Sequence, residues 1–200
     1  MNSMLKGNTA MENVFIVSSS DKGIIYISEI VKSLFNCKIT VSRSGGEARR
    51  MLMERDFDLV IINAPLRDET GESLALHVSS KDITQVILIV KREFFEDISA
   101  VCEREGVLTV SKPVNKYIFI SALSLAQSAY YRLKKVQTEN DLLRKKIEDI
   151  RIIDRAKCIL ISLFNMNEKE AHRYLEKQAM DMRITKRAVA ERIIKTYENF

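Results

Sequence analysis

The chain has 200 residues, 46% of them hydrophobic and 30% charged, with a formal net charge of +5; this is the balance of a soluble globular protein with room for one large or two small domains. Gly (6) and Pro (2) are scarce and Trp is absent, which favours helix and argues against a loop-rich or all-β chain. The three cysteines, Cys37, Cys102 and Cys158, are far apart and form no CxxC pair or metal-ligand spacing, so neither a disulfide framework nor a zinc site is expected.

Residues 1–12 are polar at the start, lack a signal-peptide core and read as a loose tail. From 13 to 130, short Val- and Ile-rich runs alternate with amphipathic stretches. The runs are Val14–Val17, Cys37–Val41, Leu59–Ile62, Val86–Val90 and Val107–Val110. Uninterrupted apolar runs of this length are expected of parallel strands covered on both faces. Between them lie helical patterns over Gly23–Phe35, Gly45–Arg55, Thr70–Ser80, Phe94–Glu105 and from Asn115 onward. The alternation predicts an α/β domain with a five-stranded parallel sheet. Cys37 and Cys102 fall in apolar stretches and are expected in its core, as in a reducing, cytoplasmic setting.

Residues 131–150 read as a linker helix. Leu133, Val136, Asn140, Leu143, Ile147 and Ile150 recur at alternating three- and four-residue steps, the pattern of a coiled-coil seam and of a homodimer. Lys134, Lys135, Arg144, Lys145 and Lys146 fall off that seam, and Asn140 takes an a-type position that can fix register. The alternative is one long helix packing on its own α/β domain. Residues 151–200 then read as a small three-helix all-α domain. Asn167 with Glu170 forms a capping-box signature for its second helix, and Thr185 can cap its third. Apolar stripes run through Ala156, Ile159, Leu160 and Leu163, through Ala171, Leu175 and Ala179, and through Val189, Ile193 and Ile194; these are expected in its core, as is Tyr174, for which stacking on a base is the alternative.

Three segments carry a family resemblance in the first domain: Val14–Val17, the stretch DLVIINAPL at Asp58–Leu66, and Ser111-Lys112-Pro113. They resemble the receiver domains of response regulators in two-component systems, which have a flavodoxin-like fold. That resemblance implies a site at the carboxyl ends of the strands, with acids after the first strand that hold Mg²⁺ and a nucleophilic Asp closing the third. This chain has Ser18 and Ser19 at the former, Asn63 at the latter and Val90 where Thr or Ser is usual; Lys112 alone keeps its type. An amide cannot form an acyl phosphate. The reading is a degenerate phosphorylation site in a receiver-like domain that senses a protein or small molecule, or serves as a dimerisation platform. Phosphorylation would need Asp21, Asp58 or Asp68 as a substitute acceptor, and Asp58 opens its strand rather than closing it.

The C-terminal segments Asp154–Ile161, Asn167–Arg183 and Val189–Ile194 resemble the ANTAR family of RNA-binding antitermination domains. The resemblance implies RNA hairpins in mRNA leaders as partners and no enzymatic activity, cofactor or metal. Arg155, Lys157, Arg173, Lys177, Arg183, Lys186 and Arg187 are the candidate RNA contacts, with Arg183, Lys186 and Arg187 clustered at the start of the last helix, where the helix dipole favours phosphate. The alternative is a DNA-binding factor using Thr185–Asn199 as the recognition helix of a helix-turn-helix. His77 and His172 lie in helical patterns without a partner set, and no 18-residue apolar run marks a membrane span.

Overall fold

The computed structural model describes residues 11–80 and 83–197. The chain divides into two compact units, Met1–Val136 and Gln137–Phe200.

The first unit is built on five parallel strands: β1 (Asn13–Ser18), β2 (Lys38–Ser42), β3 (Leu59–Asn63), β4 (Gln85–Lys91) and β5 (Leu108–Lys112), in the order β2-β1-β3-β4-β5. This is the flavodoxin-like order, with its switch point between β1 and β3. Side chains alternate between two cores, because successive strand residues point to opposite faces. Val14, Ile16, Leu59, Ile61, Ile87 and Ile89 join one core, with Ile27, Ile30 and Val31 of α1 (Asp21–Leu34) and Phe119, Leu123 and Tyr130 of α5 (Lys116–Phe164). Phe15, Val17, Val60, Ile62, Leu88 and Val90 join the other, with residues of α2 (Gly45–Glu54), α3 (Glu72–Ser79) and α4 (Phe95–Cys102). Both faces of every central strand are covered, which is why the strands read as continuous apolar runs rather than as alternating ones.

The N-terminal expectation needs correction at its end. Residues 1–10 of the expected tail lie outside the described residues. Met11 is only 1% exposed and belongs to the α1/α5 core. The Glu12 and Asn13 N–H groups donate to Asp58 Oδ2 at 2.7 and 2.9 Å, and Glu12 O accepts from Lys38 N–H. Asp58 Oδ1 also accepts from the Tyr130 hydroxyl at 2.6 Å. A carboxylate at the amino end of β3 thus fastens the chain's entry to β1 and the helix that closes the domain.

Helix α5 runs 49 residues without a break. Its interior has no Gly or Pro to end it. The Asn115 side chain caps its start, accepting from Tyr117 N–H at 2.9 Å, and Asn165, in the left-handed region at φ 52°, follows its end. The second unit comprises the distal part of α5 with α6 (Glu168–Met182) and α7 (Lys186–Tyr197). The expected capping box is present: Glu170 N–H donates to Asn167 Oδ1 at 3.0 Å, and Asn167 N–H to Glu170 Oε2 at 2.8 Å. The core is Ala156 and Leu160, Ala171, Leu175 and Ala179, and Val189, Ala190 and Ile193. Four of these eight are alanines, which leaves little side-chain bulk between the helices. Two expected core residues are outside it: Leu163 is 57% and Tyr174 39% exposed. The core positions one turn away are Leu160 and Ala171, and the side chains of Leu163 and Tyr174 meet solvent.

Candidate functional sites

At the carboxyl end of the sheet, β1 and β3 are adjacent and register Ser18 beside Asn63. Both are buried. Asn63 Nδ2 donates to Ser18 Oγ at 2.9 Å, and Ser18 Oγ also accepts from Ser20 N–H. Helix α1 is capped by Ser20, whose hydroxyl accepts from Gly23 N–H at 3.2 Å. Its first turn lies directly on the pair: a Cβ on Gly23 would sit 2.5 Å from Asn63 Nδ2. Ser19 Oγ donates to Pro65 O at 3.2 Å, and Lys112 Nζ to Ala64 O at 2.5 Å. Burial, and then the Lys91 ammonium, hold the Lys112 pKa below the usual lysine range.

Receivers that transfer phosphoryl groups hold Mg²⁺ here, and these donors do not fit that ion. Mg²⁺ takes anionic oxygen in a near-octahedral shell. Ser18, Ser19 and Asn63 are neutral, the Asn63 amide turns its nitrogen toward Ser18, and Lys112 adds positive charge. No step through a metal follows. The three substitute acids are committed elsewhere. Asp21 pairs with Arg43 at 2.6 Å. Asp58 lies at the opposite strand end. Asp68 accepts from Gly45 and Gly46 N–H at 2.8 and 2.9 Å, which holds its carboxyl below the usual range.

The expected position at Val90 is also corrected. β4 continues through Lys91, so Val90 is sheet interior, 2% exposed and in the α2/α3/α4 core. The strand-end residue is Lys91, registered against Lys112. Sequence reasoning missed it because the apolar run stops one residue before the strand does.

In the second unit, the candidate RNA contacts fall into two groups. Three are tied to carboxylates. Lys157 pairs with Asp154 at 2.7 Å and Glu168 at 3.5 Å, and its side chain is only 15% exposed. The Asp154 hydrogen bond chiefly raises its pKa. Lys186 reaches Glu176 at 3.1 Å; that bond leads the causes that lower the Glu176 pKa. Arg187 bonds three acids: Glu191 at 2.8 Å, Asp149 at 2.7 Å and Glu148 at 3.3 Å. It joins α7 to the distal part of α5, and hydrogen bonds to Glu191 and then Asp149 raise its pKa. The expected cluster of Arg183, Lys186 and Arg187 is therefore not an open cationic patch, because two of its members are paired to carboxylates. Arg173, Lys177 and Arg183 form the second group. They are exposed and make no ion pair among the described residues. Arg183 ends α6 at φ 54°. Arg155 is exposed on α5.

The seam residues Leu133, Val136, Leu143, Ile147 and Ile150 are 43–57% exposed, and Asn140 is exposed too. Every residue from Lys135 to Glu148 is exposed in the single chain.

The sheet order and the Lys112-Pro113 strand end define a receiver-like fold, followed by a small three-helix unit. The model of the ANTAR domain matches residues 141–194. The transcriptional regulatory protein PdtaR of Mycobacterium tuberculosis is 25% identical over 152 residues, spanning 76% of this chain and 74% of that protein. The aliphatic amidase regulator of Pseudomonas aeruginosa is 25% identical over 112 residues, or 56% of this chain and 57% of that one. The signal receiver domain of an HD domain-containing protein from Pseudomonas fluorescens Pf-5 superposes with a TM-score of 0.57 at 21% identity, covering 68% of this chain and 98% of that domain. Among the described residues, no helix is long and apolar enough to cross a membrane.

Proposed function

We propose that this protein is an RNA-binding transcription antitermination regulator that acts on hairpins in nascent mRNA. In this reading its receiver-like domain has lost phosphoryl transfer and serves as a sensory or dimerisation module. The ANTAR match over residues 141–194 carries the reading. The regulators it resembles support it, as does the neutral Ser18–Asn63 pair where phosphoryl transfer needs acids. Holding an RNA hairpin would keep a competing terminator from forming. Lys and Arg would contact phosphates, and unpaired loop bases would give specificity. The exposed apolar seam favours a homodimer, which would let two ANTAR domains hold two hairpins at once.

A DNA-binding factor would need the start of α7 free to meet base edges. Lys186 and Arg187, at that start, are engaged by carboxylates. The test is binding of the whole protein to a pool of RNA hairpins with randomised loops and to duplex DNA, at one fixed near-physiological salt. Retention of hairpins that share a loop sequence supports the proposal. Preference for duplex DNA overturns it.

A further inference from the structure

Within the second unit, α5 and α7 leave an open cleft of about 330 Å³ between them. Arg151 and Arg155, four residues apart on α5, stand on one wall, and Lys195 on α7 on the other. Ile152 and Ile194, both half-buried, form the apolar floor. The one carboxylate in the lining, Glu191, already accepts from Arg187 Nε at 2.8 Å. Three cations around an apolar floor make a place for something that is anionic at one end and flat and apolar at the other. The volume is near the lower end of the ~300–1,000 Å³ range of small-molecule pockets, so it admits a group larger than a bare phosphate.

We infer that this cleft holds one unpaired nucleotide of the RNA loop, its phosphate between Arg151, Arg155 and Lys195 and its base against Ile152 and Ile194. The inference rests on the RNA-binding reading above and refines it. The contact surface moves from the expected start of α7, where Lys186 and Arg187 are occupied, to the facing sides of α5 and α7. A nucleotide splayed from a loop offers what the cleft takes, since unstacked bases and their phosphates are what single-stranded RNA presents to proteins. A duplex keeps its bases stacked and cannot offer one.

The experiment uses the full chain and a hairpin selected from the randomised-loop pool. Arg151 and Lys195 are exposed, so the double variant R151A/K195A is expected to keep the parent's helix content and melting temperature. It should bind the hairpin at least tenfold more weakly. The slope of log affinity against log salt should become shallower by up to about 0.7, since the cleft holds one phosphate and each phosphate contact on a single strand contributes about 0.7. R173A/K177A, on the outer face of α6, is the comparison variant and should lose less. Hairpins with one loop base removed, position by position, complete a cycle. At one position, base removal should weaken the parent and leave R151A/K195A unchanged. If the parent binds hairpins but R151A/K195A binds with the same affinity and slope, the cleft is overturned and the RNA reading stands. If the parent itself binds no hairpin, both fall.

Discussion

At the residue scale, the first domain turns on two polar side chains that the fold uses in opposite ways. Tyr130 is buried and its hydroxyl donates to Asp58. Burial first, then that hydrogen bond, push its pKa above the usual tyrosine value. A group whose pKa is raised on folding adds stability below its unfolded pKa, about 10 for tyrosine, and loses it as pH rises further. Tyr130→Phe should therefore cost about 1.5–3 kcal/mol at neutral pH, the range for a hydrogen bond to a charged group. It should also flatten the alkaline limb of the stability curve, read by urea melts from pH 7 to 11. Asn63 is the opposite case, an amide that serves neighbouring Ser18 rather than a reaction. Asn63→Asp alone should take up no label from acetyl phosphate with Mg²⁺, because Ser18 and Ser19 still supply no metal acid. Its carboxylate cannot donate to Ser18 as the amide does, so a lower melting temperature should accompany it. Stable labelling of this variant would show that the site kept more of its chemistry than its residues indicate.

At the scale of elements, much could be read directly and the reason is local. Strand identity follows from burial on both faces, and caps such as Asn167 with Glu170 act within four residues of themselves. What stayed hidden depends on partners distant in sequence. Met11 looked like tail because nothing near it shows the core that α1 and α5 build. Lys157 and Arg187 each have one carboxylate partner within four residues, Asp154 and Glu191, which the sequence does display, but Glu168, and Glu148 and Asp149, lie across a helix pair where it does not. Leu163 kept the periodicity of a core stripe but lies beyond the reach of the alanine-rich packing. The stretch of α5 from Lys135 to Glu148 is a different matter. An isolated helix with exposed apolar residues at seam spacing buries nothing in one chain. Paired with its copy it buries Leu143 and Ile147. Placing Asp at both should convert a dimer to a monomer, measured as a halving of mass by light scattering, with the receiver fold intact. A wild-type mass equal to one chain across the micromolar range would remove the seam from the account.

For the molecule as a whole, the expected consequence of pairing is avidity. A dimer that has seized one hairpin meets the second at the effective concentration set by the RNA between them, which reaches the millimolar range for short flexible connections. An RNA carrying two hairpins should bind the wild-type protein at least a hundredfold more tightly than either hairpin alone, and the Leu143→Asp/Ile147→Asp protein should show no such gain. Equal affinity for one and two hairpins would mean each chain acts alone.

The close approach of Gly23 to Asn63 has an evolutionary reading. A Cβ at Gly23 would meet the amide nitrogen, so a larger residue there would have to push Asn63 off Ser18 while the helix starts where Ser20 now caps it. Regaining an acidic pocket would need carboxylates after β1, an Asp for Asn63 and a release of Lys112 from Ala64, and each change made singly disturbs a satisfied hydrogen bond before any chemistry returns. Such a site works as a ratchet. If the domain has lost phosphoryl transfer, as proposed, the hydrogen bonds around Asn63 and Lys112 stand against its return one substitution at a time.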